Sequence, residues 1–483
     1  MMNRIIIYVL LWAGMTAVYA GVARDFSLKG SGQPAFLGNA IIDLRLQNET
    51  IWAATGFGLN VSTDLGASWR HFAPGQYPGK GGVSAMGFMD ENTLWIATAY
   101  DTTVENESLS VGGGLNYTQD GGETWHHINQ PVDDKDVTDY SPTTTRVQNV
   151  TFDMAFLDST IWIASFGGGL RRSDDMGQSW RVVTTDGQPF SSLNHLNHRA
   201  FSVMTENGNI WYGSAEGISK SSDGGKSWQR YTHQNQDQPI SGNFVVALAW
   251  QPATQTVWAA TVEAVDGDEK RAVSYSTDGG ANWHVALEGV FAHNFGFEGE
   301  TVFVAADAGL FISDDGGANW FRVPEVVDQR NGDRILDDEY FSAAGQVVNG
   351  RSYWWLGSSD GLALTTDRGN SWRLIRSFVS TRERPVPAVY AYPSPFSPPR
   401  NGYTRFQFDI GTATEVEVRI YNWAMEHVRT LKETEDNWSP DSQDRNVIWD
   451  GRDSFGRIVD TGVYFFRAVV GNKISWGKVV VVD

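Results

Sequence analysis

A chain of 483 residues that is 41% hydrophobic and 13% aromatic, with 20 Trp, carries enough apolar mass for two or three packed domains and too much for an intrinsically disordered polymer. Its 37 Lys and Arg against 57 Asp and Glu leave a formal net charge of −20, which repels phosphate backbones and argues against nucleic acid as a partner. The absence of Cys excludes disulfides, thiolate metal sites, Cys nucleophiles and an acylated lipoprotein anchor.

The first twenty residues read as a secretory signal. Arg4 supplies the positive start, Ile5 to Gly14 form a short apolar run, and Val18 and Ala20 put small side chains where signal peptidase cuts. The run is shorter than a bilayer span, and no later stretch is apolar enough to cross one. Residues 1–20 are therefore expected to be a signal peptide, and the rest to be exported to the extracellular space, cell surface or periplasm.

From residue 37 to 379 the chain repeats itself. The octet SDDGGANW (313–320) recurs as STDLGASW (62–69), TQDGGETW (118–125), SDDMGQSW (173–180), SSDGGKSW (221–228), STDGGANW (276–283) and TTDRGNSW (365–372). Successive copies lie 37 to 56 residues apart, a spacing that implies an array of supersecondary units, each unable to bury its apolar face alone. Upstream of each copy lies an aromatic strand such as IWAAT (51–55) or IWIAS (161–165). Before that comes an apolar or alternating strand such as AIIDLRL (40–46) or VTFDMAFL (150–157), and a short strand follows each turn. Each unit thus reads strand, strand, strand, turn, strand. Seven such units close best into a ring, because a ring leaves no long sheet edge exposed. Within each turn the Gly supplies a positive φ, and the Asp carboxylate and Ser/Thr hydroxyl are placed to accept turn N–H groups. The Trp is expected to fold back over the hairpin and wedge against neighbouring sheet.

The pattern Ser/Thr-x-Asp-x-Gly-x-x-Trp resembles the Asp-box, or bacterial neuraminidase repeat, so that the segment 37–379 is similar to a seven-bladed Asp-box β-propeller. The resemblance implies that these turns lie away from the ligand face and are structural: Asp64, Asp120, Asp175, Asp223, Asp278, Asp315 and Asp367, with Trp69, Trp125, Trp180, Trp228, Trp283, Trp320 and Trp372. A calcium loop needs carboxylates at alternating positions, and each turn fixes only one, so no metal is expected there.

Composition changes at STRERPVPAVYAYPSPFSPPRNG (380–402), where prolines mark a linker over 380–390. Alternating strands follow at 404–410, 415–422, 446–451, 462–471 and 477–483, predicting a small β-sandwich over 391–483. Its segments YPSPF (392–396), VRIYNWAMEHVRTL (418–431) and WDGRDSFGRIVDTGVYFFR (449–467) look like the Ig-like domain of the flagellar hook-capping protein and the sorting domain of type IX secretion. That resemblance implies a role in sorting or attachment and contact with secretion machinery. The expected fold class is all-β, a seven-bladed β-propeller followed by an Ig-like β-sandwich.

In such a ring the fourth-to-first and second-to-third connections share one face, and long loops are expected on it at 99–114, 129–148, 184–199, 262–271 and 324–340. The first functional reading is a binding module for a glycan or protein partner. Tyr100 and Tyr140 would stack on sugar rings or fill partner pockets, while Asp133, Asp136 and Asp139 hydrogen-bond. The alternative is a secreted glycoside hydrolase, since paired carboxylates do acid/base work and the resemblance extends to Asp-box sialidases and xyloglucan-degrading endoglucanases. The early Arg-Ile-Pro motif of sialidases is absent, however, and the endoglucanases clasp their substrate with two propellers, so no catalytic residue is assigned. A photosystem II assembly protein offers a third likeness, of fold only. His195 and His198 form an H-x-x-H that nominates no third ligand and reads as solvated loop histidine. No Gly-rich loop leads from a strand into a helix, and no cofactor is expected.

Overall fold

A computed structural model describes residues 36–104, 107–264, 268–330, 332–377, 389–409, 413, 415–434 and 444–482. The expected signal peptide and linker positions 380–388 lie outside the described residues. The chain divides into two compact units: Phe36–Pro324 with Asp338–Asn370, and Glu325–Asp337 with Ser371–Asp483.

Each repeat folds as one four-stranded antiparallel meander, giving seven sheets over 41–72, 82–128, 151–183, 200–231, 244–286, 292–322 and 340–375. The second strand of each is nearly or wholly buried along the part that carries the aromatic motif, as in Thr301–Ala306 and Thr256–Val262. Such a strand is sandwiched between its two neighbouring sheets, so both of its faces must be apolar. That explains the unbroken hydrophobic runs in place of alternation. Small residues such as Ala53, Ala54, Ala259 and Ala260, none of them exposed, let the sheets approach closely.

The seven repeat turns join third to fourth strands, at the end of each sheet that also carries the first-to-second hairpin. In the first, Ser62 Oγ donates to Asp64 Oδ1 (2.8 Å) while accepting the N–H of Gly66 (2.7 Å), and Asp64 Oδ1 accepts the N–H of Ser68 (2.8 Å). The same three bonds recur around Asp120, Asp175, Asp223, Asp278 and Asp315. At Asp367 the hydroxyl of Thr365 makes the first two. The Trp of five of these turns, Trp69, Trp125, Trp228, Trp283 and Trp320, then meets an aromatic ring of the preceding sheet edge-on. Trp228 lies 6.2 Å from Trp162, Trp283 lies 6.5 Å from Trp211 and Trp320 lies 6.0 Å from Trp258, with interplanar angles of 81° to 88°. The turn Gly rests on the same ring: a Cβ on Gly66, Gly225 or Gly317 would come 2.4, 2.6 or 2.8 Å from the indole of Trp355, Trp162 or Trp258. Gly is therefore required for close approach as well as for its positive φ.

The ring closes between the first and seventh sheets without exchanging a strand. Ser342 Oγ donates to the carbonyl of Ile41 (2.9 Å), and Trp69 packs edge-on against Trp355 at 6.1 Å, repeating the joint used elsewhere. The seven sheets form a seven-bladed β-propeller.

In the second unit, Val389–Tyr392, Thr404–Asp409 and Asp444–Trp449 form one antiparallel sheet. Glu415–Tyr421, His427–Thr434, Gly462–Val470 and Lys473–Val481 form another. Alternate residues of both, among them Phe406, Val418, Ile420, Trp449, Phe466 and Val479, make a single buried core. In the same unit, the backbone N–H of Trp372 donates to Gln329 Oε1 (2.8 Å), and Arg376 pairs with Asp333.

Candidate functional site

All seven first strands carry a bulge near their start, seen as a register shift between Ile41 and Asp43, Val83 and Ala85, Ala200 and Ser202, Val245 and Ala247, Ala292 and Asn294, and Tyr340 and Ser342, and opposite Ala164 and Ser165 in the third sheet. A bulge re-aims the extra side chain. Here the extra residues Ile42, Ser84, Phe152, Phe201, Val246, His293 and Phe341 all line a central cavity of about 710 Å³, bounded by the first strands of all seven sheets. Since the bulges lie beside the second-to-third hairpins, this collar, with Phe152, Phe201, His293 and Phe341 as its aromatic members, marks the loop end of the channel. Phe201 lies 4.4 Å from Phe244 and 6.0 Å from Phe152.

Deeper in, the channel turns polar on one side. Asp43 Oδ1 accepts the N–H of Leu44 (2.8 Å) and pairs with Arg45 (3.0 Å), whose Nε donates to the carbonyl of Met86 (3.0 Å). Asp153 accepts two backbone N–H groups, from Met154 (2.8 Å) and from Val203 of the next sheet (3.0 Å). Desolvation by burial pushes Asp153 up to about 7, and the bonds from Val203 and Met154 and the charge of Arg45 offset it only in part, while the charge of Asp43 adds to it. Burial raises Asp43 as well. In the collar itself His293, with burial lowering it to about 4, is neutral near pH 7, and its Nε2 lies 3.8 Å from Glu339. The channel therefore offers two carboxylates of raised proton affinity and one guanidinium, with one imidazole in the collar beside Phe152, Phe201 and Phe341. Such a set can donate and accept hydrogen bonds to a polar ligand and can hold a proton near neutral pH.

None of these channel groups is among the sequence-based candidates. A signal for them exists, because an Asp inside the otherwise apolar runs AIIDLRL and VTFDMAFL has no place in a dry strand.

The candidates themselves are placed as follows. Tyr100 is not in a loop. Of residues 99–114, expected as one, 99–104 and 107–114 form the outer half of a long strand pair between Leu94–Val104 and Glu107–Thr118, with Tyr100 opposite Val111 and Lys80 over its ring at 5.5 Å. Asp133 makes two bonds to the guanidinium of Arg171 (2.7 and 2.8 Å) and accepts from Tyr140 Oη (3.2 Å) and the N–H of Thr143 (2.8 Å), with side-chain exposures of 5% and 2% for the ion pair. Its acceptor positions are taken up within the fold. Burial opposes but does not overcome these partners, and the carboxyl sits below its usual range. Tyr140 packs edge-on against Phe190 at 6.1 Å, while Asp136 and Asp139 are exposed. His198, expected to be solvated, is 2% exposed: its Nδ1 accepts the N–H of Ser191 (2.9 Å), its Nε2 lies 3.1 Å from Asp186, and its ring stacks on Phe190 at 5.6 Å. The 3₁₀ turn Leu196–His198 turns that ring inward. Among the described residues no group of three or more His, Asp or Glu is placed to hold a metal, and no helix is long and apolar enough to cross a membrane.

No family model matches this sequence, and no curated protein matches it either. Solved structures do. An ancestral GH74 enzyme aligns with a TM-score of 0.53 at 16% identity, covering 92% of this chain and 63% of its own. The GH74 xyloglucanase of Xanthomonas campestris aligns at 0.52 and 12%, covering 92% and 79%. PorZ, a bacterial surface component of the type-IX secretion system of Porphyromonas gingivalis, aligns at 0.44 and 17%, covering 92% of this chain, which spans 60% of the length of PorZ. At these identities the likeness is one of fold, and the fold is the β-propeller.

Proposed function

We propose that this is an exported or cell-surface β-propeller protein that recognises a glycan or protein partner at the loop end of its channel. The C-terminal unit would serve as an Ig-like domain for sorting or attachment, meeting secretion machinery. The observation that carries the reading is the buried Asp133–Arg171 pair. It ties the twenty-residue connection (129–148) to the third sheet, and it leaves Asp136 and Asp139 exposed on that connection beside Tyr140. A long segment held in one shape at the cost of burying two charges is what a preorganised recognition surface needs. The test is a glycan array and a surface-extract pull-down with the wild type and an Asp136→Ala/Asp139→Ala variant. Loss of at least tenfold in binding by the variant is expected, and undiminished binding would refute the assignment.

The second reading, a glycoside hydrolase, is favoured by one specific feature: Asp43 and Asp153 face the same cavity and Asp153 holds its proton near neutrality, as a general acid must. Release of reducing ends from xyloglucan, β-glucans or sialosides, lost in Asp153→Asn, would establish it over the binding reading.

A further inference from the structure

The outer face of the four-stranded sheet in the second unit presents a pattern that the fold does not need. On that face the register places Tyr421 opposite Phe465 and Phe465 opposite Lys478, and in the next row Arg419 opposite Arg467 and Arg467 opposite Trp476. Trp476 is 50% exposed and Phe465 36%, and the rings of Tyr421 and Trp476 stack 5.9 Å apart across the intervening strand. Exposed aromatics on one sheet face are costly in water and are normally buried or replaced by polar residues. Two arginines directly opposite one another across a strand pair repel. Arg419 and Lys432 both lean on Glu417 (2.6 and 3.1 Å), while Arg467 and Lys478 have no ion pair among the described residues. A cationic surplus therefore stands on one face of a chain whose net charge is −20.

The arrangement selects among occupants. In a protein interface the apolar centre is depleted of charge and the charges form the rim. Here Arg467 and Lys478 each adjoin both Phe465 and Trp476 in the register, so an occupant has to bring flat apolar faces and anionic groups side by side. A chain of pyranose units bearing carboxylates does so, each ring offering a C–H face to an aromatic and an acid group to a neighbouring guanidinium or ammonium. We propose that this face is a binding platform for an acidic polysaccharide, with Trp476, Tyr421 and Phe465 as the stacking surface and Arg467 and Lys478 as the anion contacts. The site is separate from the channel and does not depend on the channel's role.

The experiment is affinity electrophoresis of the full chain through native gels containing alginate, polygalacturonate or neutral dextran. Alginate or polygalacturonate should retard the wild type, and the retardation should fall as salt rises. Trp476→Ala and Arg467→Gln, both at surface positions and checked for unchanged thermal melting, should each weaken it at least tenfold. Asp136→Ala/Asp139→Ala should leave it intact. Equal retardation by dextran, no retardation by either acidic polymer, or full retardation of a folded Trp476→Ala protein would each overturn the proposal.

Discussion

Two adjacent glycines in one turn do different work. Gly316 and Gly317 both have positive φ, at 69° and 92°, but a Cβ on Gly316 meets nothing within 4 Å whereas one on Gly317 runs into Trp258. Gly316→Ala should therefore cost about 1 kcal/mol, the price of the left-handed conformation alone. Gly317→Ala should cost about 3 kcal/mol, because overpacking against the indole is added. Urea denaturation of the two variants measures the difference, and equal losses would remove the close-approach argument. The equivalent first position is Leu65, Met176 or Arg368 in other copies, with φ of 55° to 59°, as expected where no close contact demands Gly. At the channel, Asp153 gives a pH signature. Its carboxyl titrates at about 7 when folded and near 4 when unfolded, so the native state binds the extra proton between these values. Its contribution is thus largest below pH 4 and is lost as pH rises through 7, by roughly 2 kcal/mol after allowing for water in the channel. His293 acts in the opposite sense: lowered to about 4, it costs stability as pH falls from 6.5. Asp153→Asn should accordingly flatten the decline in stability from pH 5 to 8 measured by thermal melts, and an unchanged slope would show that its proton affinity is ordinary. The exposed repeat-turn carboxylates, such as Asp120 and Asp175, are held at about 2 by hydrogen bonds, first from the Thr124 and Ser179 hydroxyls, and weaken the fold only when pH drops from 4 toward 2.

At the level of elements, what is legible in the sequence is whatever repeats locally. The turn octet carries its own hydrogen-bond partners within four residues, so the turn and its flanking strands can be read from one copy and checked on six others. Segments stabilised from a distance cannot. Residues 99–114 look like a loop because Thr, Ser, Glu and Gly dominate them, yet they pair strand to strand from Ala99–Gly112 out to Val104–Glu107. Asp133 looks like a ligand group because its partner Arg171 is 38 residues away on another sheet. Similarly, only the fold brings Asp186 and Ser191 around His198. The ion pair yields an element-scale prediction. Arg171→Ala strands a buried carboxylate and should destabilise by about 3–5 kcal/mol, with limited trypsin digestion cutting first at Lys135 or Arg146. Replacing both partners, Asp133→Leu with Arg171→Met, should restore much of the melting temperature. Digestion unaltered from the wild type in the single variant would mean that the connection is held by something else.

For the molecule as a whole, the decisive joint is the one between the first and seventh sheets. With Trp69 against Trp355, it uses the same indole-on-indole contact as the joints at Trp228, Trp283 and Trp320, so removing it tests whether the ring is one cooperative body. Trp355 is completely buried, and Trp355→Ala should cost about 3–5 kcal/mol. If the ring melts as a unit, hydrogen exchange will accelerate in all seven sheets together. Acceleration confined to the first and seventh would show that the blades open one by one.

That joint also sets a condition on the order of events in folding. Ser342 reaches back to Ile41 across 301 residues of chain, and no strand is donated in advance to hold the place. The blade made first must keep one flank wet until the blade made last arrives. Any truncated product lacking the final fifty residues of the ring would carry two bare aromatic flanks, each shaped to accept the other from a neighbouring molecule.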